Sequence, residues 1–112
     1  MNSRAIGTDG EALAADYLQS LGYSIVQRNY RSRTAELDII AKRDGCLFIV
    51  EVKMQRQGSF GGAAAHVTRA KRHKIARAAE RYLWQSDWKG PCGFLVVAID
   101  GNKIEVIEDF LR

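Results

Sequence analysis

Residues 36–53, ELDIIAKRDGCLFIVEVK, decide the fold. Two runs rich in β-branched and aromatic residues, 36–43 and 46–53, are separated only by Asp44-Gly45, the preferred pair for a two-residue type I′ turn. The stretch therefore predicts a β-hairpin. With Arg43 facing Cys46, the register places Asp38 opposite Glu51 and Glu36 opposite Lys53, at Cα separations of ~4.5–5.5 Å. Alternation along each strand puts all four side chains on one face.

Two carboxylates so placed repel each other by roughly 3 kcal/mol at ~5.5 Å and an effective dielectric of about 20. A shared proton, the Lys53 ammonium or a divalent cation would compensate, the last because clustered carboxylate and carbonyl oxygens are hard ligands. A salt-bridged strand end neutralised by Lys53 fits the same letters.

Outward from the hairpin, Leu13, Tyr17, Leu18 and Leu21 recur at helical spacing and Gly22 follows, so a first helix ends near Leu21. Ser3, Thr8 and Asp9 are candidate N-caps, and Thr8 with Glu11 would form a capping box. Residues 23–30 (YSIVQRNY) read as a strand, giving three successive antiparallel strands. After a polar, glycine-rich stretch from Gln57 to Gly62, a long helix is predicted over 67–86. Ile75, Ala78, Ala79 and Tyr82 form its apolar stripe, with Arg69, His73, Lys74, Arg77 and Arg81 on the opposite face. Lys71 is the exception, four residues before Ile75 and so aligned with the stripe that faces the sheet. Lys89-Gly90-Pro91 breaks the helix, 92–99 (CGFLVVAI) reads as a strand buried on both faces, and 103–107 alternates as an edge strand. The order is α-β-β-β-α-β-β. The strands before and after the second helix can pair in parallel through that crossover, which predicts an α/β fold: a mixed five-stranded sheet with helices on its faces.

The 112 residues suit one domain spanning 1–112, and a formal net charge of +4 permits a polyanionic partner without requiring one. Neither a membrane span nor a signal-peptide core is legible, so a cytoplasmic protein without membrane contact is expected. Cys46 and Cys92 fall in apolar runs, where reduced, buried thiols are expected. A zinc site from these with His66 and His73 lacks a paired-ligand spacing.

An acidic residue on one hairpin strand and Glu-x-Lys on the next resembles the PD-(D/E)XK nuclease superfamily. More closely, the chain resembles the YraN-like family of small bacterial proteins, related to archaeal Holliday-junction resolvases and thought to be endonucleases. The resemblance is carried by Gly7, Gly10-Glu11, Ala14, Tyr17-Leu18, Gly22-Tyr23, Arg28-Asn29 and Arg31. It continues through Glu36-Leu37-Asp38-Ile39-Ile40-Ala41, Phe48-Ile49-Val50-Glu51-Val52-Lys53, Phe60-Gly61, Val67, Lys71, Ala79 and Tyr82-Leu83. Two departures stand out. Ala35 replaces a frequent glycine, and Gly93-Phe94-Leu95 stands where the family commonly reads Arg-Phe-Asp.

This resemblance implies a restriction-endonuclease-like three-layer fold and a site for Mg²⁺ or Mn²⁺. Carried over residue by residue, it makes Asp38, Glu51 and Lys53 catalytic, and makes Glu11, Asp38, Glu51 and the Val52 carbonyl metal ligands. Lys53 would orient or activate the attacking water. Glu36 is an expected auxiliary as the neighbour of Lys53, and Lys71 either contacts a phosphate or extends past Ile75 and Tyr82 to solvent. Arg28, Arg31, Arg33 and Arg56 flank this end of the hairpin and are expected to contact nucleic-acid phosphates. The expected activity is metal-dependent hydrolysis of DNA at branched or junction structures, with a homodimer suited to paired strands. Two other classes stay open: a non-catalytic nucleic-acid-binding or adaptor module keeping the nuclease fold, and a protein partner of a repair or recombination machine.

Overall fold

The computed structural model describes residues 3–55 and 67–109. Its elements are α1 (Ser3–Ser20), β1 (Ser24–Arg31), β2 (Glu36–Arg43), β3 (Cys46–Gln55), α2 (Arg69–Gln85), β4 (Cys92–Asp100) and β5 (Lys103–Asp109). They occur in the predicted order. The five strands form one mixed sheet in sequential order, antiparallel except where β3 pairs in parallel with β4 across the α2 crossover.

Local chemistry sets the ends of these elements. Gly22 adopts φ 94°, and the N–H groups of Gly22 and Tyr23 donate to the carbonyls of Gln19 and Leu18, both at 3.0 Å, closing a Schellman motif on α1. Thr8 lies inside α1, so the predicted capping box does not form the helix start. In the hairpin turn Asp44 (φ 52°) and Gly45 (φ 77°) both take the left-handed conformation that a type I′ turn demands. Thr68 caps α2, its side chain accepting from the Lys71 N–H at 3.2 Å.

Helices cover opposite faces of the sheet, giving three layers. Ala14, Ala15 and Leu18 of α1 pack with Tyr23, Ile39, Ala41, Val50, Leu95, Val97 and Ile99. On the other face Ile75, Ala78, Ala79 and Tyr82 of α2 pack with Tyr30, Ile40, Leu47, Ile49, Phe94 and Val96. Strand β4 supplies both clusters, which is why its sequence is apolar without alternation.

The cysteines depart from expectation. Both are free, but Cys46 is half-buried and Cys92 exposed, because each begins its strand at the sheet margin rather than inside an apolar run. Neither described helix is long and apolar enough to cross a membrane.

Candidate active site

From the turn, the β2–β3 ladder runs through Arg43↔Cys46, Lys42↔Leu47, Ala41↔Phe48, Ile40↔Ile49 and Ile39↔Val50, the register the sequence predicts. There the ladder stops. The expected pairings of Asp38 with Glu51 and of Glu36 with Lys53 do not continue it: β3 stays paired to β4, where Lys53 lies against Ala98, while Glu36 lies against Arg31 of β1. The cause is local. The Val52 N–H donates to Asp38 Oδ2 at 2.8 Å, so a side-chain carboxyl takes the place of a backbone acceptor and the strands fork. The β1–β2 ladder also loses its regular pair at this point, skipping Asn29 and Asp38 between Arg28↔Ile39 and Tyr30↔Leu37.

Inside the fork Glu51 is 4% exposed. Burial first, then the hydrogen bond that the protonated Asp38 carboxyl donates to the Glu51 side chain and the negative charge of Glu51, push the Asp38 carboxyl up from 3.8 to about 8; the Val52 N–H and Lys71 oppose the shift. Asp38 therefore keeps its proton near neutral pH. The cation beside Glu51 is Lys71, whereas Lys53 is one of the three compensations the hairpin register leaves open. The Lys71 ammonium lies 3.3 Å from Glu51 Oε2. That contact is an ion pair without hydrogen-bond alignment, so Oε2 remains buried with no hydrogen-bond partner. Lys71 reaches it because it follows the Thr68 cap by three residues, on the first turn of α2.

An open groove of about 590 Å³ runs over this pair. Ala35, Glu36, Asp38 and Glu51 form one wall; Thr68, Ala70, Lys71, Lys74 and Ile75 form the other. Helical periodicity assigns Lys74 to a solvated face, yet it shares the groove because it lies three residues after Lys71. That spacing is legible in the sequence. Lys53, half-buried, shares the Glu51 face of β3.

Glu11 reaches the fork from α1. Arg28 Nη2 lies 3.7 Å from Glu11 Oε1, so this arginine is an ion-pair partner within the cluster, with 35% of its side chain exposed. Burial, then the Asp38 charge, raise the Glu11 carboxyl above its usual range, with Arg28 acting against them. Among the described residues no three His, Cys, Asp or Glu side chains converge closely enough to enclose an ion by themselves. The intimate pair is Asp38 and Glu51, with Glu11 and Glu36 beside it. Arg31 and Arg33 are exposed, and Arg56, with the glycines of 58–62, lies outside the described residues.

The donor set nevertheless suits a hard divalent cation. Mg²⁺ uses one or two carboxylates and keeps several waters, and Glu51 Oε2 is an oxygen without a hydrogen bond at the right place. The Val52 carbonyl projects to the same side of β3 as its N–H, into the fork.

Comparison with known proteins adds kinship without an activity. Residues 10–99 match the model of a family described as "Uncharacterised protein family UPF0102". The UPF0102 protein NE0719 of Nitrosomonas europaea is 40% identical over 102 residues, covering 91% of this chain and 86% of that protein. A UPF0102 protein of Methylobacillus flagellatus is 39% identical over 109 residues, covering 95% and 96%. One from Aeromonas hydrophila is 42% identical over 106 residues, covering 92% and 82%.

Proposed function

We propose that this chain, which belongs to the uncharacterised protein family UPF0102, the YraN-like proteins, is a cytoplasmic divalent-metal-dependent endonuclease acting on branched DNA. The observation that carries this reading is the Asp38–Glu51 pair: two carboxyls brought together in a strand fork, Asp38 taking the Val52 N–H and Glu51 buried with an oxygen that lacks a hydrogen bond. A fold gains no stability from such an arrangement, and a carboxyl whose proton affinity is raised by burial and a charged neighbour beside an open groove is a functional-site candidate.

Asp38 and Glu51, with the Val52 carbonyl and Glu11 at the margin, would hold Mg²⁺ or Mn²⁺. Bound there, the cation would polarise a phosphoryl oxygen and make water a better nucleophile. Lys53, on the Glu51 face, would hold the attacking water and steady the charge developing on the phosphate. Lys71 would leave Glu51 for the incoming phosphate, with Lys74 beside it on the same wall of the groove. Arg31 and Arg33, both exposed, would contact the strand outside the groove.

One observation favours a second reading. Lys71 already supplies a cation to Glu51, as a non-catalytic module that keeps the fold and binds nucleic acid would require.

Duplex, branched and single-stranded DNA incubated with the protein and Mg²⁺ or Mn²⁺, beside Asp38→Ala, separates the two. Cleavage of branched DNA that vanishes in the variant supports the enzyme. Equal cleavage by both proteins overturns it, and salt-sensitive binding without metal-dependent turnover transfers support to the module.

A further inference from the structure

Asn29 is a polar residue on β1 with a backbone φ of 56°, in the left-handed region, at the position where the β1–β2 ladder loses its pair opposite Asp38. Among residues other than glycine, Asn tolerates that conformation best. Its amide has one satisfying orientation. With the nitrogen turned toward the acidic cluster, Nδ2 donates to Glu11 Oε1 at 2.8 Å and to Glu36 Oε1 at 3.0 Å. An Asn amide has two N–H groups, and each here meets one carboxylate.

We infer that Asn29 is a positioning residue that joins α1 to the site, its amide holding Glu11 against Glu36 and within the field of Asp38. The inference rests on the reading of the fork as a metal site. Glu11 stands on α1, which packs on the face of the sheet opposite α2 and Lys71. Arg28, at 3.7 Å, supplies charge to the same carboxylate without fixing its direction, whereas the Asn29 amide supplies direction without charge. Glycine would accept the backbone but hold nothing; Asp would accept it too and add a third negative charge. The chemistry that needs both a left-handed backbone and two donors selects Asn.

The test reads the clamp and the metal separately. In ¹H–¹⁵N spectra of the metal-free protein, the Asn29 side-chain amide resonances should be displaced from the ordinary Asn range. Glu11→Gln should move one of them and Glu36→Gln the other. Asn29→Gly, which keeps the backbone conformation, should weaken Mg²⁺ binding by about 10–100-fold, the usual cost of removing a group that orients a metal ligand. That loss should disappear in a Glu11→Gln background, which a general structural defect would not allow. Asn29 resonances indifferent to Glu11→Gln overturn the inference, as does native Mg²⁺ affinity in Asn29→Gly. If the native protein binds no Mg²⁺, the endonuclease reading falls, and the Asn29 resonances decide the clamp on their own.

Discussion

The two ends of the β2–β3 hairpin are built from the same strands and differ in almost everything else. At the turn end the ladder is complete, Asp44 and Gly45 take the conformations their turn demands, and the nearby cations lie on rings: Arg43 is 4.3 Å from the Tyr23 centroid and Lys42 is 4.9 Å from that of Trp88. Trp88 in turn donates to the Pro91 carbonyl at 3.0 Å, and the same carbonyl accepts from the Leu47 N–H. At the fork end the ladder is broken by a carboxyl, Asp38 holds its proton far above the usual carboxylate range, and a buried oxygen lacks a hydrogen bond. One end spends its sequence on stability. The other gives stability up, which a fold retains only where the arrangement serves something else.

Substitutions at the two ends should therefore separate function from stability. Glu51→Ala should abolish metal-dependent cleavage, by at least about a thousandfold, the upper scale on which a single preorganised charge-stabilising group acts. Residual cleavage within tenfold of native, measured under single-turnover conditions, would erase the functional distinction between the ends. Lys53→Met should slow cleavage by about a hundredfold while leaving divalent-metal affinity near native, since it removes an ammonium and no ligand oxygen. At the turn, Gly45→Ala meets no neighbour within 4 Å but must hold φ 77°, so it should cost about 1–2 kcal/mol in denaturant unfolding and leave cleavage intact.

A pH dependence is also expected of the metal-free protein. Asp38 holds its proton more tightly folded than unfolded, its affinity rising from 3.8 to about 8, so the native state binds more protons in that window and stability falls as pH rises through it. Asp38→Asn keeps an acceptor for the Val52 N–H and a donor for Glu51 without the charge. Its midpoint of thermal unfolding should exceed native by several degrees at pH 8 and converge with it near pH 4, on the scale of about 4–8 °C per kcal/mol for a small domain. A variant less stable than native at pH 8 would mean that the fork is a structural device after all.

Much of this is legible in the letters. Asp44-Gly45 sets the hairpin register because a two-residue turn leaves little freedom, and that register makes Asp38 and Glu51 the next residues on each strand where the ladder stops at Ile39↔Val50. Lys71 stands out because a cation on an apolar helical stripe has few places to go. What fails does so for a physical reason: register counting assumes that every N–H on β3 finds a carbonyl on β2, and Asp38 intercepts the Val52 N–H, so Glu36 and Lys53 never face each other. Asn29 is visible in the sequence only as a letter beside Arg28. Its role depends on a left-handed backbone and on a helix arriving from the other face, and neither is written in local periodicity. The cysteines mislead because apolar composition says where a strand runs, not how near its first residue lies to the sheet margin.

The central claim is that the fork is a divalent-cation site centred on Asp38 and Glu51. Calorimetric titration of Mn²⁺ into the native protein, Asp38→Ala and Glu51→Ala tests it most directly. The account predicts one bound ion per native chain and its loss in both variants; a native chain that binds no ion, or variants that titrate like native, would contradict it.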